Sequence, residues 1–293
     1  MCIKKHQLQN STLLCMILIP IPQDYRLNIV NLYHYSLKIY YMNYNIGNFF
    51  LTTNTVEGIS DEEYEKAALL VNAAKAFARS TYQCVYIIDY FKREFVYVSE
   101  NLALLCGQPA DKIKEFGYNL YLKHVPEKEV EMLMEINKKG FDLFSTIPSH
   151  ERMDYSIQYD FHLVNEKKPY LIHHTLTPLT LTKDGKIWLA LCTVSMSSRK
   201  TPGHIVMKKE NNKEYHEYDL ARHQWVLKEE KALSGTERDV LWLSTQGYTM
   251  NEIADKLCKS VDTIKSCKRS LFTRLGVKNI AEALYHAVNY RLL

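Results

Sequence analysis

The sequence predicts an α+β fold: a five-stranded antiparallel sheet with helices, followed by an all-α domain of four helices. Three observations predict it, namely β-rich runs in the middle of the chain, apolar residues at helical spacing elsewhere, and repeated helix-capping pairs near the C-terminus. The chain has 293 residues, which is enough for about two hydrophobic cores of ordinary size. We therefore expect two folded domains.

The composition is that of an ordinary folded protein. Apolar residues make up 46% and charged residues 24% of the chain, without a low-complexity tract, which excludes a fibre or a disordered tail. The net charge of +4 is too small to indicate a polyanionic partner without local clustering. The seven cysteines include no C-x-x-C pair, so they are typical of reduced thiols in a cytoplasmic protein rather than of a zinc or redox site.

The first 56 residues differ in composition from the rest of the chain. Asp24 is the one acidic residue before Glu57, while Ile, Asn, Tyr and Leu are abundant. This bias indicates translated upstream sequence, with Met42 as the start, or a disordered segment. A signal peptide is the alternative, but no small-x-small cleavage site follows the apolar run, and Pro20 ends that run too soon for a membrane span. Residues 1–56 are therefore left unassigned.

The next part of the chain alternates between helical and strand-like patterns. A lead helix is predicted over 57–80, because apolar residues from Asp61 to Ser80 recur at three- and four-residue steps. Strands are predicted at 84–88, 95–98, 155–164, 170–181 and 187–195, and helices at 101–105, 111–116 and 126–139. Asp184-Gly185 supplies the tight turn between the last two strands. Two strands, helices and three strands predict an antiparallel sheet with helices on one side.

This order of elements resembles the PAS sensor family. The matching residues are Tyr97-Val98-Ser99-Glu100-Asn101 entering the first helix, Cys106-Gly107 after it, and His124-Val125-Pro126, where the family often has a His-Pro pair that starts a helix. By this resemblance, residues 81–197 form a PAS-like domain that receives an unknown small-molecule or protein signal. No cofactor is predicted for it.

Residues 198–231 are predicted to be a linker. They are polar and charged, and the breakers Pro202-Gly203 and Asn211-Asn212 interrupt them. Short alternating runs around Tyr215 and Trp225 predict a hairpin within this segment.

Four helices with capped N-termini are predicted from Leu233 onward. Three polar residues each precede a glutamate by three positions, which is the spacing of a capping box; they are Ser234, Thr249 and Asn279. Ser260 is a fourth N-cap, and Gly247 lies where a left-handed residue commonly ends a helix. The second helix, 250–257, and the turn at 258–260 have the lengths of a helix-turn-helix motif.

The third helix has a basic face that points away from its core. At about 100° per residue, its apolar stripe is about 40° wide and consists of Ile264, Leu271 and Leu275. Lys265, Ser266 and Arg269 lie about 80° or more from that stripe. From Lys256 to Lys278 there are seven basic residues and one acid. Because Lys and Arg bind phosphates and donate to guanine edges in the major groove, this pattern predicts DNA binding.

At this point the C-terminal segment, 232–293, resembles the LuxR/GerE-type helix-turn-helix. The residues that carry the resemblance are Leu233-Ser234, Glu237-Arg238, Gly247, Glu252-Ile253-Ala254, Ser260, Thr263-Ile264-Lys265, Leu275-Gly276-Val277, Asn279 and Glu282-Ala283. The DNA-binding residues that it implies are Lys265, Ser266, Arg269, Thr263, Lys259, Lys268 and Thr249. The last helix is the usual dimer contact of the family, which implies contacts by Ala283, His286, Ala287 and Tyr290.

Together these features predict a cytoplasmic, sequence-specific DNA-binding transcription regulator that a PAS-like domain controls. Its predicted partners are double-stranded DNA, a second copy of the chain and the signal, with RNA polymerase as a further candidate and no membrane. His173 and His174 are neighbours on a strand and should face opposite sides of the sheet, so they cannot chelate one metal. No nucleophile, P-loop or zinc-protease motif is present, so no enzymatic site is predicted.

One alternative stays open at the level of sequence. A protein-interaction or polymerase-binding factor with a sigma-like domain of four helices would show the same caps and the same basic face. Such a protein would read DNA only within a larger complex, so direct binding of the purified protein to DNA separates the two hypotheses.

Overall fold

The computed structural model of the chain describes residues 46–50, 52–81, 83–165, 168–229, 233–290 and 292. The predictions for residues 1–45, including the start at Met42 and the signal peptide, lie outside the described residues. Residues 49–293 form one compact unit of the chain. The helices are α1 (Ile46–Phe49), α2 (Asp61–Ser80), α3 (Glu100–Cys106), α4 (Ala110–Phe116), α5 (Asn119–His124), α6 (Glu127–Thr146), α7 (Gly235–Thr245), α8 (Met250–Lys256), α9 (Val261–Leu275) and α10 (Ile280–Asn289). The strands are β1 (Cys84–Asp89), β2 (Glu94–Val98), β3 (Tyr155–Asn165), β4 (Lys168–Leu181), β5 (Ile187–Met196), β6 (Gly203–Lys209), β7 (Glu214–Asp219) and β8 (Gln224–Glu229).

The described strands form one antiparallel sheet in the order β2-β1-β5-β4-β3-β6-β7-β8. The five predicted strands are β1 to β5, and their bounds differ from the predicted ones by at most two residues. Helices α3 to α6 lie between β2 and β3 in the chain, so the predicted order of the five strands and the helices between them is confirmed.

The sheet nevertheless continues beyond the five predicted strands, and the predicted linker supplies the continuation. The hairpin predicted around Tyr215 and Trp225 is confirmed as β7 and β8, but β6 was not predicted. β6 pairs with β3, which would otherwise be an exposed edge strand, and it buries Ile205 and Met207 completely or nearly so. The prediction of five strands was therefore wrong in number, because covering the edge of β3 favours pairing over a free linker.

The helices between β2 and β3 differ from the predicted ones at their ends. α6 extends to Thr146, and α5 was not predicted because it has only six residues. His124 ends α5 instead of starting a helix, and its Nδ1 lies 3.0 Å from the carbonyl oxygen of Val164. Pro126 is the N-cap of α6 and lies just outside its first turn.

The lead helix is confirmed as α2. Its N-cap, Ser60, accepts a hydrogen bond from the Glu63 amide, and the Glu63 carboxylate accepts one in return from the Ser60 amide. The buried face consists of small residues, Ala67, Val71, Ala74 and Ala78. None of the described helices is long and apolar enough to cross a membrane.

Neighbouring residues of β3 and β4 lie on opposite faces of the sheet. The rings of Tyr159 and His174 are 4.7 Å apart, on the face that α5 and α6 cover. On the other face, Asp160 Oδ1 lies 3.0 Å from His173 Nδ1. The prediction that His173 and His174 face opposite sides is therefore confirmed, as expected from the pleat.

The C-terminal four helices pack around two small cores. One consists of Leu233, Leu241, Leu271, Leu275, Val277, Ala283 and Ala287. The other consists of Val240, Ile253, Ala254 and Ile264. Helices α7 and α9 each contribute to both cores, so these two helices fix the positions of α8 and α10.

The turn between β4 and β5 gives a test of the fold. Gly185 has a φ of +79°, and a Cβ there would lie 2.7 Å from Arg152 Nη1, which donates to the Gly185 carbonyl oxygen. We expect Gly185→Ala to lower the free energy of unfolding by about 2 kcal/mol, from left-handed strain and the displaced hydrogen bond. Gly58→Ala is the control: Gly58 has a φ of +70° with no atom within 4 Å of a Cβ, so it should lose about 1 kcal/mol. Urea unfolding followed by circular dichroism measures both, and equal losses would contradict the steric part of the argument.

Candidate nucleic-acid interface

The turn between α8 and α9 is fixed from both sides. At its start, the Lys259 amide donates to the Ala254 carbonyl oxygen at 2.9 Å, and Cys258 adopts a left-handed φ of 51°. At its end, Ser260 caps α9 by accepting a hydrogen bond from the Thr263 amide at 3.1 Å. These contacts set the angle at which α9 leaves α8.

One face of α9 is buried as predicted. Ile264 and Leu271 are fully buried and Leu275 is nearly so. Ile264 packs in the same core as Ile253 and Ala254 of α8, where the small Ala254 allows a close approach of the two helices. The opposite face of α9 must therefore point outward.

That outward face carries Lys265, Ser266 and Arg269, all of which are exposed. Thr263 is exposed in the first turn of the helix. Lys265 Nζ lies 3.6 Å from Asp262 Oδ1, but both side chains are largely in solvent, so the pair contributes little and Lys265 can leave it. The structure thus places the predicted groove-facing residues together on one accessible surface.

Six of the seven basic residues of this segment are exposed, and Lys268 is half-buried. Lys256 lies over the Tyr248 ring at 4.4 Å, and Lys268 lies 5.8 Å from the centre of the Phe272 ring.

Arg274 forms an ion pair within the domain. Its Nη2 lies 2.9 Å from Glu237 Oε2 on α7. Burial raises the pKa of Glu237, but hydrogen bonds from Ser234 and the Arg274 guanidinium outweigh it and hold that pKa below its usual range. The ion pair therefore ties α9 to α7.

Thr249 belongs to a helix cap. Its hydroxyl accepts from the Glu252 amide and lies 2.8 Å from Glu252 Oε2, to which it donates. Both capping boxes predicted at Ser234 and Thr249 are confirmed. The cap predicted at Asn279 is also present, but Glu282 accepts from the Lys278 amide instead of completing the box. Thr249 is exposed, yet its hydroxyl would reach a phosphate only by giving up its bond to Glu252.

The structure places the four predicted dimer contacts of α10 in contacts within the chain. Ala283 and Ala287 are fully buried in the core of their own domain. His286 is nearly as buried and, with Tyr290, faces the PAS-like domain. The resemblance to the family predicted a contact with a second copy for these four residues, whereas here they pack or form hydrogen bonds within one chain.

A second group of polar residues, inside the PAS-like domain, was not predicted. Tyr86 Oη lies 2.6 Å from Tyr121 Oη and 2.7 Å from His174 Nε2. Burial, together with His173, lowers the pKa of His174 to about 3, so its ring is neutral. Within the described part of the chain, His174 Nδ1 and Tyr118 Oη are buried without a hydrogen-bond partner. No sequence pattern indicated this group, because Tyr86 lies on β1, His174 on β4, and Tyr118 and Tyr121 at the start of α5.

A small apolar cavity of about 40 Å³ adjoins this group, between α6 and the sheet. Its lining includes Gly140, Phe141 and Phe144 of α6 and Tyr159 and Leu176 of the sheet. Among the residues that the structure describes, no group of three or more His, Cys, Asp or Glu side chains is placed to hold a metal ion.

Comparison with known proteins identifies the C-terminal part. Residues 231–287 match the family described as bacterial regulatory proteins, luxR family. The matched residues contain α7, α8, α9 and most of α10, so this part of the chain is similar to the helix-turn-helix domain of that family. The transcriptional activator protein BglJ of Escherichia coli (strain K12) is 35% identical over 66 residues, which are 22% of this chain and 29% of BglJ. The oxygen regulatory protein NreC of Staphylococcus aureus (strain JH9) is 40% identical over 63 residues, again 22% of this chain and 29% of NreC.

The chain spans 29% of the length of either of these relatives. Among solved structures, the crystal structure of the phage VqmA-DPO complex is similar to 80% of this chain and 92% of its own chain, with 15% identity and a TM-score of 0.28.

The cap at Ser260 gives a test of how α9 is positioned. We expect Ser260→Ala to remove the bond to the Thr263 amide, which costs about 1 kcal/mol and frays the first turn of α9. Ser270→Ala is the matched control, because Ser270 is exposed within the same helix. Amide hydrogen exchange should rise several-fold at Thr263 in the first variant only. Similar exchange in the two variants would contradict a capping role for Ser260.

Proposed function

We propose that the protein is a sequence-specific DNA-binding transcription regulator whose LuxR-type domain reads the major groove with α9. The observation that carries this proposal is the two-sided character of α9. Its inner face is fully buried, and its outer face presents Lys265, Ser266 and Arg269 to solvent. A helix held this rigidly with basic side chains outward fits the width and potential of a major groove.

The chemistry of each side chain determines whether it would contact a base or a phosphate. Lys265 and Arg269 would donate to guanine O6 and N7, and Ser266 would donate to or accept from a base edge. Thr263, Lys259 and Lys268 lie beside this face and would contact phosphates, which fix the register without reading sequence. Thr249, at the start of α8, would contact a phosphate of the backbone that α8 crosses.

A homodimer on a roughly two-fold-symmetric DNA site is part of the proposal. We propose that α10 mediates the contact between copies, as predicted for Ala283, His286, Ala287 and Tyr290. Val288, a large apolar residue of that helix that is 53% exposed, is a further candidate contact.

We further propose that a signal controls the protein through the PAS-like domain. The unpartnered His174 Nδ1 and Tyr118 Oη support an internal site for a small polar molecule, since buried polar atoms are normally hydrogen-bonded. The neighbouring cavity of about 40 Å³ would have to widen to admit more than a few atoms. A partner protein remains the other class of signal.

RNA polymerase is a second proposed partner of the LuxR-type domain. Trp242 on α7 is 59% exposed, and a large exposed aromatic side chain is suited to a protein interface. This observation also favours the alternative function, a polymerase-binding factor that reads DNA only in a larger complex. In either case we propose a cytoplasmic protein without enzymatic activity.

Substitutions on the outer face of α9 test the proposal. We expect Lys265→Ala and Arg269→Ala each to weaken binding to the specific site by about 1 to 3 kcal/mol and to relax specificity. Lys213→Ala is the charge-matched control, because Lys213 is exposed in a turn of the β6–β7 connection. Affinities for specific and scrambled duplexes, measured by fluorescence anisotropy at fixed salt, give the result. Parent-like binding to all sequences by both α9 variants would refute the groove assignment.

Salt dependence separates the two functions. A regulator that binds alone should show an affinity that falls steeply with salt, with a slope that each lost phosphate contact reduces by about 1. Lys259→Ala should reduce the slope in this way and leave the preference between sequences unchanged. Binding that requires added RNA polymerase at every salt concentration would instead support the alternative.

A further inference from the structure

The last helix of the LuxR-type domain is held against the sheet of the PAS-like domain by polar contacts. Tyr290 Oη donates to Asp160 Oδ2 at 3.2 Å, and the Tyr290 ring lies 4.9 Å from that of His173. His286 Nδ1 lies 3.0 Å from Ser198 Oγ, in the segment that follows β5. The Tyr285 hydroxyl donates to the Met196 carbonyl oxygen in the same region. One turn of α10 and the residue that caps its C-terminus, Tyr290, therefore engage the PAS-like domain.

The centre of this contact is a fully buried carboxylate. Asp160 has no exposed surface, and its two oxygens accept from His173 Nδ1 and from the Tyr290 hydroxyl. A buried carboxylate is tolerated only when its oxygens are hydrogen-bonded, so the sheet needs the Tyr290 hydroxyl from the other domain. When α10 leaves, water must take over that oxygen.

Arg199 clamps Tyr290 through two further contacts. Its guanidinium lies 4.9 Å from the centre of the Tyr290 ring, and its Nε donates to Tyr290 Oη at 3.2 Å. The same Tyr290 hydroxyl thus accepts from Arg199 and donates to Asp160. This chain from Arg199 through Tyr290 to Asp160 fixes the orientation of α10.

A cleft of about 350 Å³ runs along the contact and gives solvent access to its edge. Charged and titratable residues from both domains line it, among them Arg199, His204, Lys208, Glu217, Arg274 and His286, together with the apolar Val206, Leu275 and Leu292. The hydrogen bonds of the contact therefore lie next to water.

We propose that the face of the sheet around Asp160 and His173 is a docking surface for α10, and that mild acid releases the helix. The docked helix leaves the outer face of α9 exposed, so docking controls how the LuxR-type domain is oriented and does not cover Lys265, Ser266 or Arg269. The consequence for DNA readout rests on the function proposed above, whereas the docking itself does not.

His286 supplies the response to acid. Burial lowers its pKa to about 4, Arg199, His173 and His204 act in the same direction, and Asp160 opposes them. An undocked histidine has a pKa near 6.5, so the undocked state takes up the proton first. The contribution of His286 to docking is therefore fully present above about pH 6.5 and is lost progressively as the pH falls toward 4. Between pH 7.5 and pH 5.5 the docking equilibrium should shift about tenfold toward release.

Hydrogen–deuterium exchange of the full chain tests this directly. The peptides of interest cover the last turn of α10 and the segment 197–204, with rates corrected for intrinsic exchange at each pH. In the parent protein, exchange of both should rise about tenfold from pH 7.5 to pH 5.5. His286→Asn retains a polar group near the position of Nδ1 and does not titrate, so its exchange should change less than twofold over this range. His150→Asn, at an exposed histidine, should keep the full response.

A second variant on the sheet side avoids any change to α10. Arg199→Ala should raise exchange of the last turn of α10 about tenfold already at pH 7.5, because the clamp on Tyr290 is lost. Arg222→Ala is the matched control, since Arg222 is exposed at the tip of the β7–β8 hairpin. Both variants are first confirmed as folded by circular dichroism.

The outcomes are distinct. An absent pH response in the parent, an equal response in His286→Asn, or equal exchange in Arg199→Ala and Arg222→Ala would each overturn the proposal. Binding to DNA with one half-site should agree within twofold between parent and Arg199→Ala, because α9 is exposed while α10 is docked; a larger difference would count against the proposal. If neither protein binds DNA, the proposed function fails, and the exchange data still decide on docking.

Discussion

The pleat of β3 and β4 is the constraint on which the rest of the molecule depends. Because neighbouring side chains alternate between the two faces, Asp160 and His173 meet the LuxR-type domain while Tyr159 and His174 lie in the interior of the PAS-like domain. His173 and His174, which are adjacent in the chain, therefore take part in two different proposed sites. A shift of register by one residue would exchange the two sets and would abolish both.

The interior of the PAS-like domain and helix α10 therefore lie on opposite faces of the same strand, β4. His174 is joined to Tyr86 on one face, and His173 to Asp160 on the other. A change in the position of β4 that accommodates a molecule beside His174 must also move His173. The strand itself is thus a physical connection between the proposed signal site and the docking surface, and it requires no longer path of contacts.

Local signals made much of the fold predictable. The caps at Ser234, Thr249 and Ser260, and the buried stripe of α9, depend on residues within one or two turns of each other, so the sequence alone identifies them. The strands β1 to β5 follow from runs of β-branched and aromatic residues for the same reason.

Contacts between distant parts of the chain were not predictable in this way. β6 is short, and it forms because β3 offers an unpaired edge, which depends on the completed sheet. Tyr290 and Asp160 are 130 positions apart, and no periodicity links them. On α10 the family pattern favoured a dimer contact, whereas the structure uses Ala283 and Ala287 for the core and His286 and Tyr290 for the sheet. The assignment of DNA-contacting residues on α9 stays a prediction.

The chemical nature of the contact between α10 and the sheet decides whether it can act as a switch. An apolar interface would be stabilised by the hydrophobic effect and would not respond to protonation. The contact of α10 has the opposite property, because the pKa of the buried His286 is lowered to about 4 and the buried Asp160 is stable only with its hydrogen bonds complete. The solvent in the adjoining cleft lowers the cost of exposing Asp160 and His286 when the helix leaves.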